Sequence, residues 1–338
     1  MNGGPVLALV APDGPALAPE TVVLGLPLAR RTVLAARAAG FSRVAVVGAT
    51  PALAAALEGS GAELADVPPP GALRFPWNVV AQTREMRELA AGAAAVGVPV
   101  ATRADLPRAE SFLLKGLIKD TEGFMSRYFD RAISLSVSRR LAGTRVTPNQ
   151  MTLVAVAIGL LGAPFFLAQR PAVQVVGGLL FLLHSILDGC DGELARLKFQ
   201  TSRFGGILDF WGDNAVHMAV FAAMGVGLAR ATGQDWPLAC GASAVLGTAA
   251  SAWVVYQRTM TGPKDGPLFT SVATHRETAV SRIADALSRR DFIYLVLIMS
   301  AFGKADWFIV LSAVAVPAFF LALLVVAWND RRVARSVS

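Results

Sequence analysis

The chain has 338 residues, of which 54% are hydrophobic and only 16% charged, and it carries a formal net charge of +7. The length leaves room for two domains, and the two cysteines, Cys190 and Cys240, exclude a disulfide framework and lack metal-like neighbours. Nucleic acid is excluded as the reason for the positive balance, because the basic residues flank long apolar runs and so face anionic headgroups.

The composition changes near residue 150, and the first part reads as a soluble domain. The start, MNGGPVLALVAPDGP, has no basic stretch followed by an uninterrupted apolar core, so no signal peptide is expected. VLALVA (6–11), PLARRTVLAARAAG (27–40), RVAVVG (43–48) and PALAAALEGSG (51–61) alternate as strand, helix, strand, helix, which predicts a Rossmann-like α/β domain with a largely parallel sheet over residues 1–108. VVLGLPLARRTVLAARAAGFSRVAVVG resembles the opening of sugar-nucleotide cytidylyltransferases. Enzymes of that kind hold a triphosphate on a Gly-rich loop with a basic residue after the first strand. Here that loop is APDGPALAPE, with one glycine and no cation. A degenerate nucleotidyltransferase-like domain with a structural or regulatory role is expected.

Residues 109–147 form the connector. Leu113, Leu117, Phe124, Tyr128 and Phe129 recur at helical spacing among Lys115, Lys119, Arg127, Arg131, Arg139 and Arg140, which predicts an amphipathic helix lying on the membrane surface. At Thr147-Pro148-Asn149 the first span begins: Pro148 suits a helix start, and Asn149 either caps the helix or faces a ligand.

Residues 148–338 form the membrane domain. Apolar runs at 151–169, 171–190, 206–229, 236–257, 291–303 and 305–328 predict a bundle of six transmembrane helices, since a span needs about 20 such residues. A buried bundle in a soluble protein does not account for six such runs in so short a stretch. Lys and Arg concentrate in 196–203, 258–290 and 331–335, while the intervening turns hold only Arg170, Arg230 and Lys304. Both termini and the basic loops are therefore expected on the cytoplasmic side.

The stretch LLHSILDGCDGELARLKFQTSRFGGILDFWGDN (182–214) sets acids into two of these helices. Asp188 shares a helical face with Asp191, and Asp209 with Asp213, and the turn between them is short enough to make the helices antiparallel neighbours. Charge beside lipid is unfavourable unless cations or water compensate it, and hard oxygen ligands at this density suit Mg²⁺ or Mn²⁺. A two-metal phosphoryl site is expected. Gly192, Ala195, Gly205 and Gly206 admit a close approach of helix or nucleotide. Glu193, turned away from both pairs, is expected to face solvent or to pair with a cation. His184, four residues before Asp188, and His217, four after Asp213, read either as hydrogen-bonded residues within the bundle or as support for the acids.

From Asp191 to Asp213 the residues spell D-G-x2-A-R-x8-G-x3-D-x3-D, preceded by Asp188. This resembles the signature of the CDP-alcohol phosphatidyltransferases, and the six-helix reading matches that family. The resemblance implies a membrane enzyme in which two divalent ions bind the diphosphate of a CDP-linked donor. Asp188, Asp191, Asp209 and Asp213 would ligate metal, and Asp213 would also act as general base. Gly192, Ala195 and Gly205 would line the cytidine side together with Asn149, Arg196 would support the site electrostatically, and the protein would pair as a homodimer.

The connector KDTEGFMSRYFDRAISLSVSRRLAGTRVTPNQMT is similar to the region before the first span in di-myo-inositol-phosphate-phosphate synthases. That likeness implies a CDP-alcohol donor such as CDP-inositol and a polyol phosphate acceptor such as inositol phosphate. Lys119, Arg127, Arg282 and Arg289 are the cations expected to bind the acceptor. A phospholipid headgroup synthase using CDP-diacylglycerol keeps the same chemistry with another donor. Two readings of other classes are a transporter using intramembrane carboxylates and a membrane-anchored binding protein carrying an inactive transferase.

Overall fold

The computed structural model describes residues 4–93, 97–118, 125–261 and 292–337. These residues divide into two compact units. The first comprises residues 1–120, 135–146 and 193–200, and the second comprises 121–134, 147–192 and 201–338.

The first unit is built on strands β1 (Val6–Val10), β4 (Arg43–Val47), β5 (Glu63–Ala65) and β6 (Leu73–Pro76). They pair in the order β5-β4-β1-β6, every pair parallel. VLALV and, after the exposed Arg43, VAVV are continuous apolar runs rather than alternating ones, as suits strands buried on both faces. Helix α1 (Leu28–Ala39) follows the small strands β2 (Val22–Val23) and β3 (Leu26–Pro27) and ends on Gly40, whose left-handed φ of 102° favours glycine. Helix α2 (Pro51–Leu57) starts on Thr50, whose side chain accepts from the Leu53 N–H. Leu7, Leu9, Ala29, Val33, Val44, Val46, Leu53 and Met86 close the core. The four elements expected from the opening residues are all present.

A second core in this unit gathers residues distant in sequence: Val23, Leu28, Val98 and Val100 with Leu113, Leu117, Ala142 and Leu197. Strand β7 (Val79–Val80) with β8 (Val98–Pro99), α4 (Leu106–Lys115) and α5 (Arg131–Ala142) from Leu135 onward complete the elements around it, while α3 (Thr83–Ala90) packs on the first core through Met86. Four of the five apolar residues expected in the connector's stripe are among the described residues. Leu113 and Leu117 are buried here, while Tyr128 and Phe129 are exposed. Helix α4 stops at Lys115, the chain resumes as a π-helical turn over Ser126–Asp130, and Phe124 and Lys119 lie outside the described residues.

Residues 193–200 are fastened within this unit by polar contacts. Arg31, only 2% exposed, donates from Nη2 to the carbonyls of Val23 (2.9 Å) and Leu24 (3.1 Å) and from Nη1 to that of Leu197 (3.1 Å). Burial pulls its pKa down to about 10, so it remains a cation at neutral pH. Lys198 Nζ donates to the carbonyls of Thr144 and Val146, and Phe199 packs on the sheet's core. Glu193 is fully buried and accepts from Ser138 Oγ at 2.6 Å, so it does not face solvent. Arg31→Met keeps most of the side-chain volume but removes the donors from three carbonyls. It is expected to cost about 3 kcal/mol, read as a lower unfolding midpoint of the purified protein, and an unchanged midpoint would contradict these contacts.

The second unit is a helical bundle: α6 (Pro148–Gly162) with a 3₁₀ extension to Leu167, α7 (Pro171–Leu197) as far as Gly192, α8 (Arg203–Thr232), α9 (Trp236–Thr259), α10 (Phe292–Ala301) and α11 (Ala305–Val337). Five of these are long and apolar enough to cross a membrane. The sixth expected span is a 10-residue helix among the described residues, and any extension before Phe292 lies outside them.

Phe166, Phe181, Val216, Val220, Phe221, Ile293, Phe308 and Ile309 fill the centre of the bundle. Outward, Leu161, Leu179, Leu246, Trp253, Val314 and Leu321 are exposed, an apolar exterior suited to lipid rather than water. Helices α8 and α9 meet through glycines. A Cβ at Gly225 would fall 2.9 Å from the Gly241 Cα, so neither position has room for a side chain at this separation.

Candidate metal centre

Helix length explains why acids are tolerated here. A span takes about 20 residues, whereas α7 has 27 and α8 has 30. The surplus on α7 falls after about residue 190 and that on α8 before about residue 213, when the spans are counted from Pro171 and back from Thr232. All four aspartates therefore lie at or near the joined ends of the two helices, not in the middle of the layer. Ser202 starts α8 by accepting the Gly205 N–H on its side-chain oxygen at 3.0 Å.

Asp188, Asp191 and Asp209 come together. One carboxylate oxygen from each lies within 4.8 Å of the others, with Asp188 only 2% and Asp191 only 7% exposed. Three carboxylates so close repel each other as bare anions. Octahedral Mg²⁺ with ligands at about 2.1 Å sets its oxygens about 3 to 4.2 Å apart, so the observed group fits a divalent cation with small inward movement. Thr152 of α6, 1% exposed, donates its hydroxyl proton to Asp191 Oδ2 and fixes the orientation of that carboxylate. Composition gave no reason to single out Thr152 in the TPNQMT stretch. Its one signal is a hydroxyl one helical turn after the N-cap of a helix neighbouring the acids.

Asp213 does not belong to the group of three. Its Oδ1 instead lies 3.3 Å from His184 Nε2 and 3.8 Å from His217 Nε2. Both histidines thus attend the same carboxylate from different helices. Cys190 is fully buried and lies against the Ser134 carbonyl, a packing residue.

The expected cytidine-side residues divide between the units. Thr147 caps α6 by accepting the Gln150 N–H, with Pro148 in the first turn, so Asn149 is not the cap. A Cβ at Gly205 would lie 2.8 Å from Asn149 Oδ1, which places these two expected residues side by side. Gly192 is half-buried beside Asp191 on α7. Ala195 and Arg196 stand on the final turns of α7, which belong to the first unit, where Arg196 Nη2 donates to the Leu117 carbonyl at 3.4 Å. Of the expected acceptor-binding cations, Arg127 is exposed in the π-helical turn, while Lys119, Arg282 and Arg289 lie outside the described residues.

The family model described as CDP-alcohol phosphatidyltransferase matches residues 145–328. A bifunctional IPC transferase and DIPP synthase from Thermococcus kodakarensis is 43% identical over 111 residues, 32% of this chain and 24% of that protein. An archaetidylinositol phosphate synthase from Pyrococcus horikoshii is 37% identical over 73 residues, 22% of this chain and 37% of that protein. The chain therefore spans well under half the length of the curated relatives it matches. A Mycobacterium tuberculosis phosphatidylinositol phosphate synthase, solved with CDP-DAG bound, superposes with a TM-score of 0.41 at 18% identity over 58% of this chain and 94% of that one. Because the family model covers more than half of the sequence and contains the whole aspartate motif, the chain belongs to the CDP-alcohol phosphatidyltransferase family and is a transferase.

Proposed function

We propose that this membrane transferase moves a phospho-alcohol group from a CDP-linked donor to a hydroxyl of a polyol phosphate, inositol phosphate in the first instance, and releases CMP. The observation that carries the reading is the group of Asp188, Asp191 and Asp209, the first two buried and the third half-buried, contributed by two helices. These side chains would hold two Mg²⁺ or Mn²⁺ ions, which when bound neutralise charge on the donor's diphosphate and polarise the transferring phosphoryl group.

The protein's own residues do the rest. Asp213 takes the proton of the acceptor hydroxyl as its oxygen bonds to phosphorus and the bond to CMP breaks. Asn149, Gly192 and Gly205 would line the cytidine side, the role the motif also implies for Ala195, with Arg196 as electrostatic support. Arg127, with Lys119, Arg282 and Arg289, would supply positive charge to the acceptor's phosphate. We place the active site and both termini on the cytoplasmic side of the cell membrane, following the basic loops. The protein would act as a homodimer, and its first domain is a nucleotidyltransferase-like fold that no longer makes the donor.

The relatives named bifunctional IPC transferase and DIPP synthase favour an inositol-containing substrate. A CDP-diacylglycerol donor is the second reading, favoured by a Mycobacterium leprae relative named CDP-diacylglycerol--serine O-phosphatidyltransferase, 33% identical over 87 residues. A transporter would set its acids near mid-membrane on several spans, whereas Asp188, Asp191 and Asp209 gather at the joined ends of two. The test is to give the purified protein Mg²⁺, labelled inositol phosphate and either CDP-inositol or CDP-diacylglycerol. Labelled product with CDP-inositol is expected. Product only with CDP-diacylglycerol overturns the donor, and CMP release from neither overturns the substrate class.

A further inference from the structure

His184 is the most completely enclosed ionisable side chain beside the candidate base: it is 0% exposed. Its Nδ1 lies 2.9 Å from the Ala155 carbonyl. A carbonyl only accepts, so Nδ1 carries a proton and the ring orientation is fixed. Nε2 then faces Asp213 Oδ1 at 3.3 Å, so the ring spans the Ala155 carbonyl and the Asp213 carboxylate; with Nδ1 holding one proton, Nε2 donates to an ionised carboxylate only when the ring carries a second.

The neighbourhood is shaped for this ring. Gly159 on α6 leaves the space it occupies, since a Cβ there would fall 2.9 Å from the His184 Cγ and 2.5 Å from Val216. Phe181 stacks parallel to the imidazole, with 6° between the planes and 6.2 Å between centroids. His217 approaches the same oxygen only to 3.8 Å, beyond hydrogen-bond reach, and its ring is set edge-on to Phe181 and Phe292.

We propose that His184 is a positioning residue for the transfer reaction. It bridges the α6 backbone at Ala155 to the Asp213 carboxylate and holds that group in the direction from which it meets the acceptor hydroxyl. A carboxylate on a helix has rotamer freedom, and a base misplaced by an ångström loses much of its rate advantage. The role rests on the proposed reading of Asp213 as base and goes beyond it, because His184 acts through that carboxylate.

The test uses the full chain and CMP release, with inositol phosphate as acceptor and CDP-inositol or CDP-diacylglycerol as donor, whichever turns over. His184→Leu is expected to lower kcat about 30-fold with the donor KM changed less than about twofold, an effect on the reacting geometry rather than on binding. His184→Gln, whose amide can donate to Asp213 from near the Nε2 position, is expected to recover most of the loss. His184→Asn, which reaches only the Ala155 carbonyl, is not. His217→Leu is expected to change kcat less than about threefold. In an Asp213→Asn background His184→Leu is expected to add nothing further, since its effect passes through that carboxylate.

Mn²⁺ binding in the presence of CMP, followed by the Mn²⁺ resonance signal, checks that each variant is folded and keeps its metal group. With Mn²⁺ binding intact, any one of three results overturns the role: undiminished kcat in His184→Leu, no recovery in His184→Gln, or the same fold-loss with and without Asp213. Full activity of Asp213→Asn alone would instead overturn the reading of Asp213 as base.

Discussion

Replacing Asp191 with asparagine is expected to lower CMP release by about 10³-fold, equivalent to about 4 kcal/mol of transition-state stabilisation. The substitution keeps the shape of the side chain, and the amide oxygen can still accept from Thr152, so the contact between α6 and α7 survives. What it removes is one negative charge from a group of three within 4.8 Å of each other. In the metal-free protein that removal relieves repulsion and should raise the unfolding midpoint slightly. Activity and stability are therefore expected to move in opposite directions. A purely structural role for Asp191 predicts that both fall together, so parallel measurement of CMP release and thermal unfolding separates the two accounts.

Asp213→Asn is the second large effect. A positioned base contributes roughly 10² to 10⁴ in rate, and a loss of about 10³-fold in kcat is expected with the donor KM little changed. Asp213 stands outside the group of three and lies against His184 instead. Mn²⁺ binding is accordingly expected to persist in Asp213→Asn, whereas it should fail in Asp188→Asn and Asp209→Asn. If Asp213→Asn loses the metal as well as the rate, Asp213 is a ligand in its own right, the other role its place in the motif implies.

The aspartates were legible in the sequence because their spacing is local. Asp188 and Asp191 sit one turn apart on one helix, and a short turn brings Asp209 back beside them. The strands at Val6–Val10 and Arg43–Val47 were legible for a similar reason, as unbroken apolar runs between turn residues. Contacts between distant segments were not. Leu113 and Leu117 have the spacing of a lipid-facing stripe, but periodicity says only that a face is apolar, not what covers it, and here the cover includes Val98, Ala142 and Leu197.

Glu193 illustrates the same limit. Its angle on the helix correctly separates it from the aspartates, yet its burial depends on Ser138, which lies 55 residues earlier. The two histidines were visible as neighbours of the acids by sequence spacing. That both turn toward Asp213, and that His184 is set by a carbonyl on α6, depends on how α6, α7 and α8 pack. Thr152 and Gly159 likewise acquire meaning only through the neighbours they meet on the other helices.

The account rests on Asp188, Asp191 and Asp209 gathering divalent ions around a diphosphate, and Mn²⁺ titration of the purified protein in the presence of a CDP-alcohol tests it most directly. Saturable binding of two Mn²⁺ per chain, displaced by Mg²⁺ and lost in Asp191→Asn, is the predicted result. A folded protein that takes up no Mn²⁺ with the nucleotide present, or takes it up equally without Asp191, would contradict it.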